Sequence, residues 1–95
     1  MKIYIATYDL VAPDGDYEGV EAAMSECAMG EVLHIQKSVW LLASSKTAKM
    51  IRDVIALNLN AGDKVFVTKL DVGDWAGWGT KAQAWIAEHR DAEPT

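Results

Sequence analysis

The chain is poor in the residues that make disulfides, rigid turns and basic surfaces. Of its 95 residues one is cysteine, two are proline and one is phenylalanine, and no lysine or arginine occurs between Ile3 and Gln36. The lone thiol, Cys27, excludes an internal disulfide and points to a reducing cytoplasm. It falls on the apolar face of an expected helix, where a thiol behaves as a small buried hydrophobe. The opening apolar run is far shorter than the about 18 residues a membrane helix needs, and only Lys2 stands beside it. Neither a secretion signal nor a membrane span is therefore predicted. Seven acids, Asp9, Asp14, Asp16, Glu18, Glu21, Glu26 and Glu31, fill the stretch that lacks cations, whereas Lys37 to Thr95 holds eight basic and seven acidic residues. The net charge of −5 is thus concentrated in one pole. Nucleic-acid binders carry the opposite arrangement, a basic patch that displaces counterions from phosphates, so affinity for nucleic acid is expected to be weak or absent.

Other chemistries lack their parts as well. His34 and His89 have no cysteine, histidine or acid at metal-ligand spacing, and no Ser-His-Asp set can be assembled for nucleophilic catalysis. The glycine-rich stretch GDWAGWG lacks the glycine spacing and the lysine of a phosphate loop.

What is present is apolar. Hydrophobic residues make up 51% of the chain and four are tryptophan. A domain of this length buries roughly 60–70% of its unfolded surface, so part of that surplus is expected at a subunit interface, as in a homodimer. Trp40, Trp75, Trp78 and Trp85 read as core or interface residues rather than base-stacking platforms, since no cations adjoin them.

Along the chain, KIYIATYD reads as a strand with both faces apolar. Pro13, Gly15 and two aspartates mark a loop, and Asp16 is placed to cap a helix with Tyr17, Val20, Met24, Cys27 and Ala28 on one side. EVLHIQ and SVWLLAS read as two strands joined at Lys37-Ser38. Ser44 or Ser45 is expected to start a second helix that buries Ile51 and Ile55 and presents Lys46, Lys49 and Arg52 to solvent. NAGD ends it, and KVFVTKLD forms a fourth strand. Thr80 and Gln83 form an expected capping box for a last helix, and 91–95 should fray. The order β-α-β-β-α-β plus a terminal helix predicts one α+β domain over 1–90. Its architecture is a ferredoxin-like sandwich with two helices on one face of a four-stranded antiparallel sheet. The other face also needs a cover: the terminal helix, the tryptophan-rich segment or a second subunit.

A family resemblance rests on two stretches. MKIYIATYDL, an apolar strand ending in Tyr8-Asp9, and MGEVLHIQKSVWLL, with Gly30, Ile35, Gln36, Ser38, Val39 and Trp40, resemble CRISPR-associated protein two over residues 1–71. The segment DWAGWGTKAQAWI is more similar to the offshoot called SinR-like, and virulence-associated protein D is a more distant relative. The resemblance implies a homodimer of packed sheets with the two copies of Asp9 near its axis. It further implies a divalent-metal role for Asp9, with Mg²⁺ or Mn²⁺, in those members that are endonucleases for RNA or DNA. The family's basic residues after Tyr-Asp are replaced here by VAPDGDYEGVEAAMSE, acidic throughout.

Two readings of Asp9 therefore stay open: a catalytic metal ligand shared by two subunits, or a strand-end residue accepting hydrogen bonds from the next turn. The inverted charge favours a non-catalytic module. Asp14, Asp16, Glu18, Glu21 and Glu26 are then the expected surface for a basic protein partner.

Overall fold

A computed structural model describes residues 2–11 and 17–90. The elements run in the order β1 (Lys2–Asp9), α1 (Tyr17–Cys27), β2 (Val32–Gln36), β3 (Val39–Ser44), α2 (Ala48–Ala56), β4 (Lys64–Lys69) and α3 (Ala82–His89). The strands form one antiparallel sheet in the order β2-β3-β1-β4, the ferredoxin-like arrangement. β1 holds the centre because its two faces are both apolar, as the alternation of its side chains requires.

Tyr4, Ala6 and Tyr8 of β1 join the core under α1 and α2, with Val20, Met24, Leu42, Ile51 and Ile55. Ile3 enters a second core on the opposite face, with Leu41, Leu70, Ala82 and Ile86. The uncovered face foreseen from the sequence is thus closed in part by α3 and by Trp75 and Trp85 packed against that second core. Phe66, on the same face beyond the cover, stays 65% exposed. Among the described residues no helix is long and apolar enough to cross a membrane.

Two helix starts differ from expectation. Ser44 is the last residue of β3, and Thr47 caps α2, its hydroxyl accepting from the Met50 amide at 3.2 Å. Ser44 is instead buried, and its Oγ donates to the Cys27 carbonyl at 2.8 Å. Its oxygen accepts from the Lys46 amide at 3.1 Å, which lies before α2, so the first turn of that helix is left to Thr47. At α3 the expected capping box does not form. Thr80 Oγ1 accepts from the Ala82 amide at 3.3 Å, one position short of Gln83, and the helix begins at Ala82. The expected caps and fray at Asp16 and 91–95 lie outside the described residues.

A bulge in β2 reshapes the second face of the sheet. His34 pairs with Trp40 but Gln36 pairs with Val39, so β2 carries one residue more than its partner. Ile35 and Gln36, which a regular strand would point to opposite faces, therefore line the same cleft on that face.

Candidate functional site

Asp9 closes β1 on the second face of the sheet and is exposed. Its partner across the β1–β4 ladder is Lys64, next to Thr7 opposite Phe66. Directly opposed side chains in such a ladder have Cβ atoms about 5 Å apart, so Lys64 faces Asp9 on the same side of the sheet. The two residues line a shallow pocket of about 170 Å³ with Thr7 and Phe66. Among the described residues no group of three or more His, Cys, Asp or Glu side chains converges on a common point. Mg²⁺ and Mn²⁺ prefer several oxygen ligands, and one exposed carboxylate per chain falls short of such a shell by itself.

Tyr8 and Asp9 do not act together. Successive strand residues point to opposite faces, so the Tyr8 ring enters the core under α1. There its hydroxyl accepts from Trp40 Nε1 at 3.1 Å, and the ring lies 5.9 Å from that of Tyr17. Burial pushes the phenol pKa up, against the Trp40 hydrogen bond. His34 stacks on the outer side of Trp40, 4.3 Å away and tilted only 6°, and its Nε2 bonds the Lys37 carbonyl at 3.0 Å. This aromatic row, which carries the Gln-x-Ser-Val-Trp segment, is structural.

The chain leaving Asp9 is anchored from across the fold. Asp63 accepts from the Val11 amide at 2.8 Å and from the Asn60 amide at 2.8 Å, and these bonds hold its carboxyl below the usual carboxylate range. Asp63, 52 positions away, thus anchors Val11, and the turn that the other reading of Asp9 invokes lies in 12–16, outside the described residues.

The acidic candidates lie elsewhere. Asp14 and Asp16 lie outside the described residues. Glu18 and Glu26 are exposed on α1 and Glu21 is half-buried. Lys49–Asp53, Arg52–Asp53 and His89–Glu31 form ion pairs, and none of these three involves α1. α1 thus presents Glu18, Glu21 and Glu26 outside those three pairs, on the opposite side of the sheet from Asp9. Lys49 and Arg52, the expected basic stripe, are both tied to Asp53 at 3.2 and 2.7 Å.

One cluster had no sequence signal. His89 Nε2 lies 2.7 Å from Glu31 Oε2, and Nδ1 lies 2.8 Å from the Trp85 carbonyl. Both partners are acceptors, so only the doubly protonated imidazolium donates to both. Its ring also stacks on Trp85 at 4.0 Å. Burial disfavours that charge, but the bonds to Glu31 and Trp85, with the nearby Glu31 and Glu88 charges, raise the pKa above its ordinary value. A raised folded-state pKa stabilises the fold fully below the unfolded value, and the contribution disappears as pH rises through the folded one. His89→Gln should therefore cost about 1 kcal/mol at about pH 5.5 and little at about pH 8.5. Urea midpoints at the two pH values check this, and an equal loss at both would contradict it.

No protein-family model, curated protein or solved structure matches the chain.

Proposed function

We propose that this protein is a non-catalytic, homodimeric interaction module of the cytoplasm that presents α1 to a basic protein partner. The observation that carries this reading is the set Glu18, Glu21 and Glu26, three carboxylates on one helix that holds no lysine or arginine. Such a surface steers a cationic partner and repels nucleic acid. The single buried thiol, Cys27, suits a reducing compartment. The dimer uses the second sheet face, where Phe66 and Trp78 are exposed, and so leaves α1 free on the outside. The resemblance to CRISPR-associated protein two supplies the scaffold for this reading, and the acidic stretch that replaces the family's cations supplies the change of role.

A lysine-rich peptide titrated by calorimetry tests it. Two surface charge contacts at about 0.5 kcal/mol each predict roughly fivefold weaker binding for the Glu18→Gln/Glu21→Gln double variant, with a steep salt dependence in the wild type. Equal affinity for wild type and variant would sink the reading. The competing endonuclease, with Asp9 of both subunits holding Mg²⁺ or Mn²⁺, predicts cleavage of RNA or DNA that Asp9→Asn abolishes. We expect no metal-dependent cleavage that distinguishes the two proteins, because Lys64 opposes Asp9 in the ladder and no further carboxylate joins it among the described residues.

A further inference from the structure

Three of the four indoles have a place in the fold. Trp40 donates to Tyr8, and Trp75 and Trp85 pack on the second core. Trp78 is 96% exposed and makes no hydrogen bond among the described residues. It stands on the lip of an apolar cleft of about 320 Å³ between the second sheet face and the segment before α3. The floor is Ile5, Leu41 and Leu70, the far wall is Ile86, and Gln36 is turned in by the β2 bulge. No charged side chain lines this cleft.

We infer that a second copy of this chain seats its Trp78 in the cleft, and that the exchange is reciprocal. This rests on the dimer reading above and names the contact that makes the dimer.

Several observations converge on this occupant. The volume is at the low end of the about 300–1,000 Å³ of small-ligand sites, so one bicyclic side chain suits it. An uncharged lining excludes a phosphate or carboxylate, which would be buried without a partner. The Gln36 side chain has no hydrogen-bond partner among the described residues, and its amide oxygen is available to an entering indole N–H. The cleft and the indole lie on one surface, so a two-fold axis satisfies both at once and closes the assembly at two copies.

Charge separates a second copy from other partners. Two chains of −5 repel each other in general, yet this face carries Asp9 and Lys64 as a balanced pair. The acids of α1 lie across the sheet. From the cleft floor the apolar surface continues through Ile5 and Thr7 to Phe66 opposite Thr7 on β4. A mutual face of this kind costs little in self-repulsion.

The test measures mass and indole environment separately on the full chain. Sedimentation from about 1 μM to about 1 mM should show a monomer–dimer equilibrium, and Trp78→Ala should weaken it at least about 100-fold, as expected for a central aromatic anchor. Gln36→Glu, which sets a carboxylate at the cleft, should weaken it at least about tenfold. In protein labelled with 5-fluorotryptophan, the resonance absent from Trp78→Phe should be the one that moves most on dilution. A dimer of unchanged affinity in Trp78→Ala, or a Trp78 resonance that stays solvent-like in the dimer, overturns the exchange and leaves the dimer reading standing. A chain that is monomeric throughout overturns both, and a cleft that then takes up free indole identifies a small-molecule site instead.

Discussion

Ile51→Ala is expected to remove about 3.5 kcal/mol of stability and to lower the melting temperature by roughly 14–28 °C. Ile51 is fully buried on the inner face of α2, in the core that also holds Val20, Met24, Leu42 and Ile55. Truncation forfeits the transfer free energy of three carbons and leaves a cavity that packed neighbours refill only in part. Since a domain of this size has about 5–15 kcal/mol in total, the variant should stand near the edge of folding at 37 °C. Met50, the preceding residue, is half-exposed, so Met50→Ala on the same helix should change stability by less than about 0.5 kcal/mol. Calorimetric scans of the two variants make the comparison. Similar losses in both would mean that helix propensity, not burial, holds α2 in place.

Ser44→Ala should cost about 2 kcal/mol although it deletes one oxygen. That oxygen donates to the Cys27 carbonyl at 2.8 Å and accepts from the Lys46 amide at 3.1 Å, so it joins the end of α1 to the approach to α2. Without it a carbonyl and an amide lose their partners in a site that is 1% exposed at Ser44. An unsatisfied buried group costs about 1–3 kcal/mol, and the half-buried Lys46 amide retains some access to water. Guanidinium midpoints for Ser44→Ala and wild type measure the loss. A change below about 0.5 kcal/mol would show that water replaces the hydroxyl without penalty. The same joint holds α1 against the sheet, so the loss should reach peptide binding as well. Ser44→Ala should weaken it although no acid of α1 has been touched.

Much of the architecture was legible because it depends on short-range periodicity. The stripe Tyr17, Val20, Met24, Cys27, Ala28 packs as a helix face should, and the two-faced apolarity of KIYIATYD placed β1 at the sheet centre. The helix starts were less legible. Ser44, Ser45 and Thr47 are all capable caps, and only packing decided that Ser44 turns inward and Thr47 serves. At Thr80 the spacing to Gln83 matched a capping box, but the hydroxyl bonded the nearer Ala82 amide.

The candidate sites divide along the same line. The acidic character of α1 is a property of composition, because the segment holds no cation of its own. The standing of Asp9 is a property of register. Its ladder partner Lys64 lies 55 positions away and faces it only because β4 pairs with β1 at that offset. The Glu31–His89 contact spans 58 positions, and the cleft beside Trp78 exists because a bulge sets Ile35 and Gln36 on one face. Sequence alone determined which faces are apolar, where charge accumulates and the order of elements, since each follows from neighbours within a turn or a strand. The tertiary structure alone decided which residue opposes Asp9 in the ladder, which hydroxyl is buried and which indole is left without a place. Those outcomes depend on long-range pairing that no local pattern encodes.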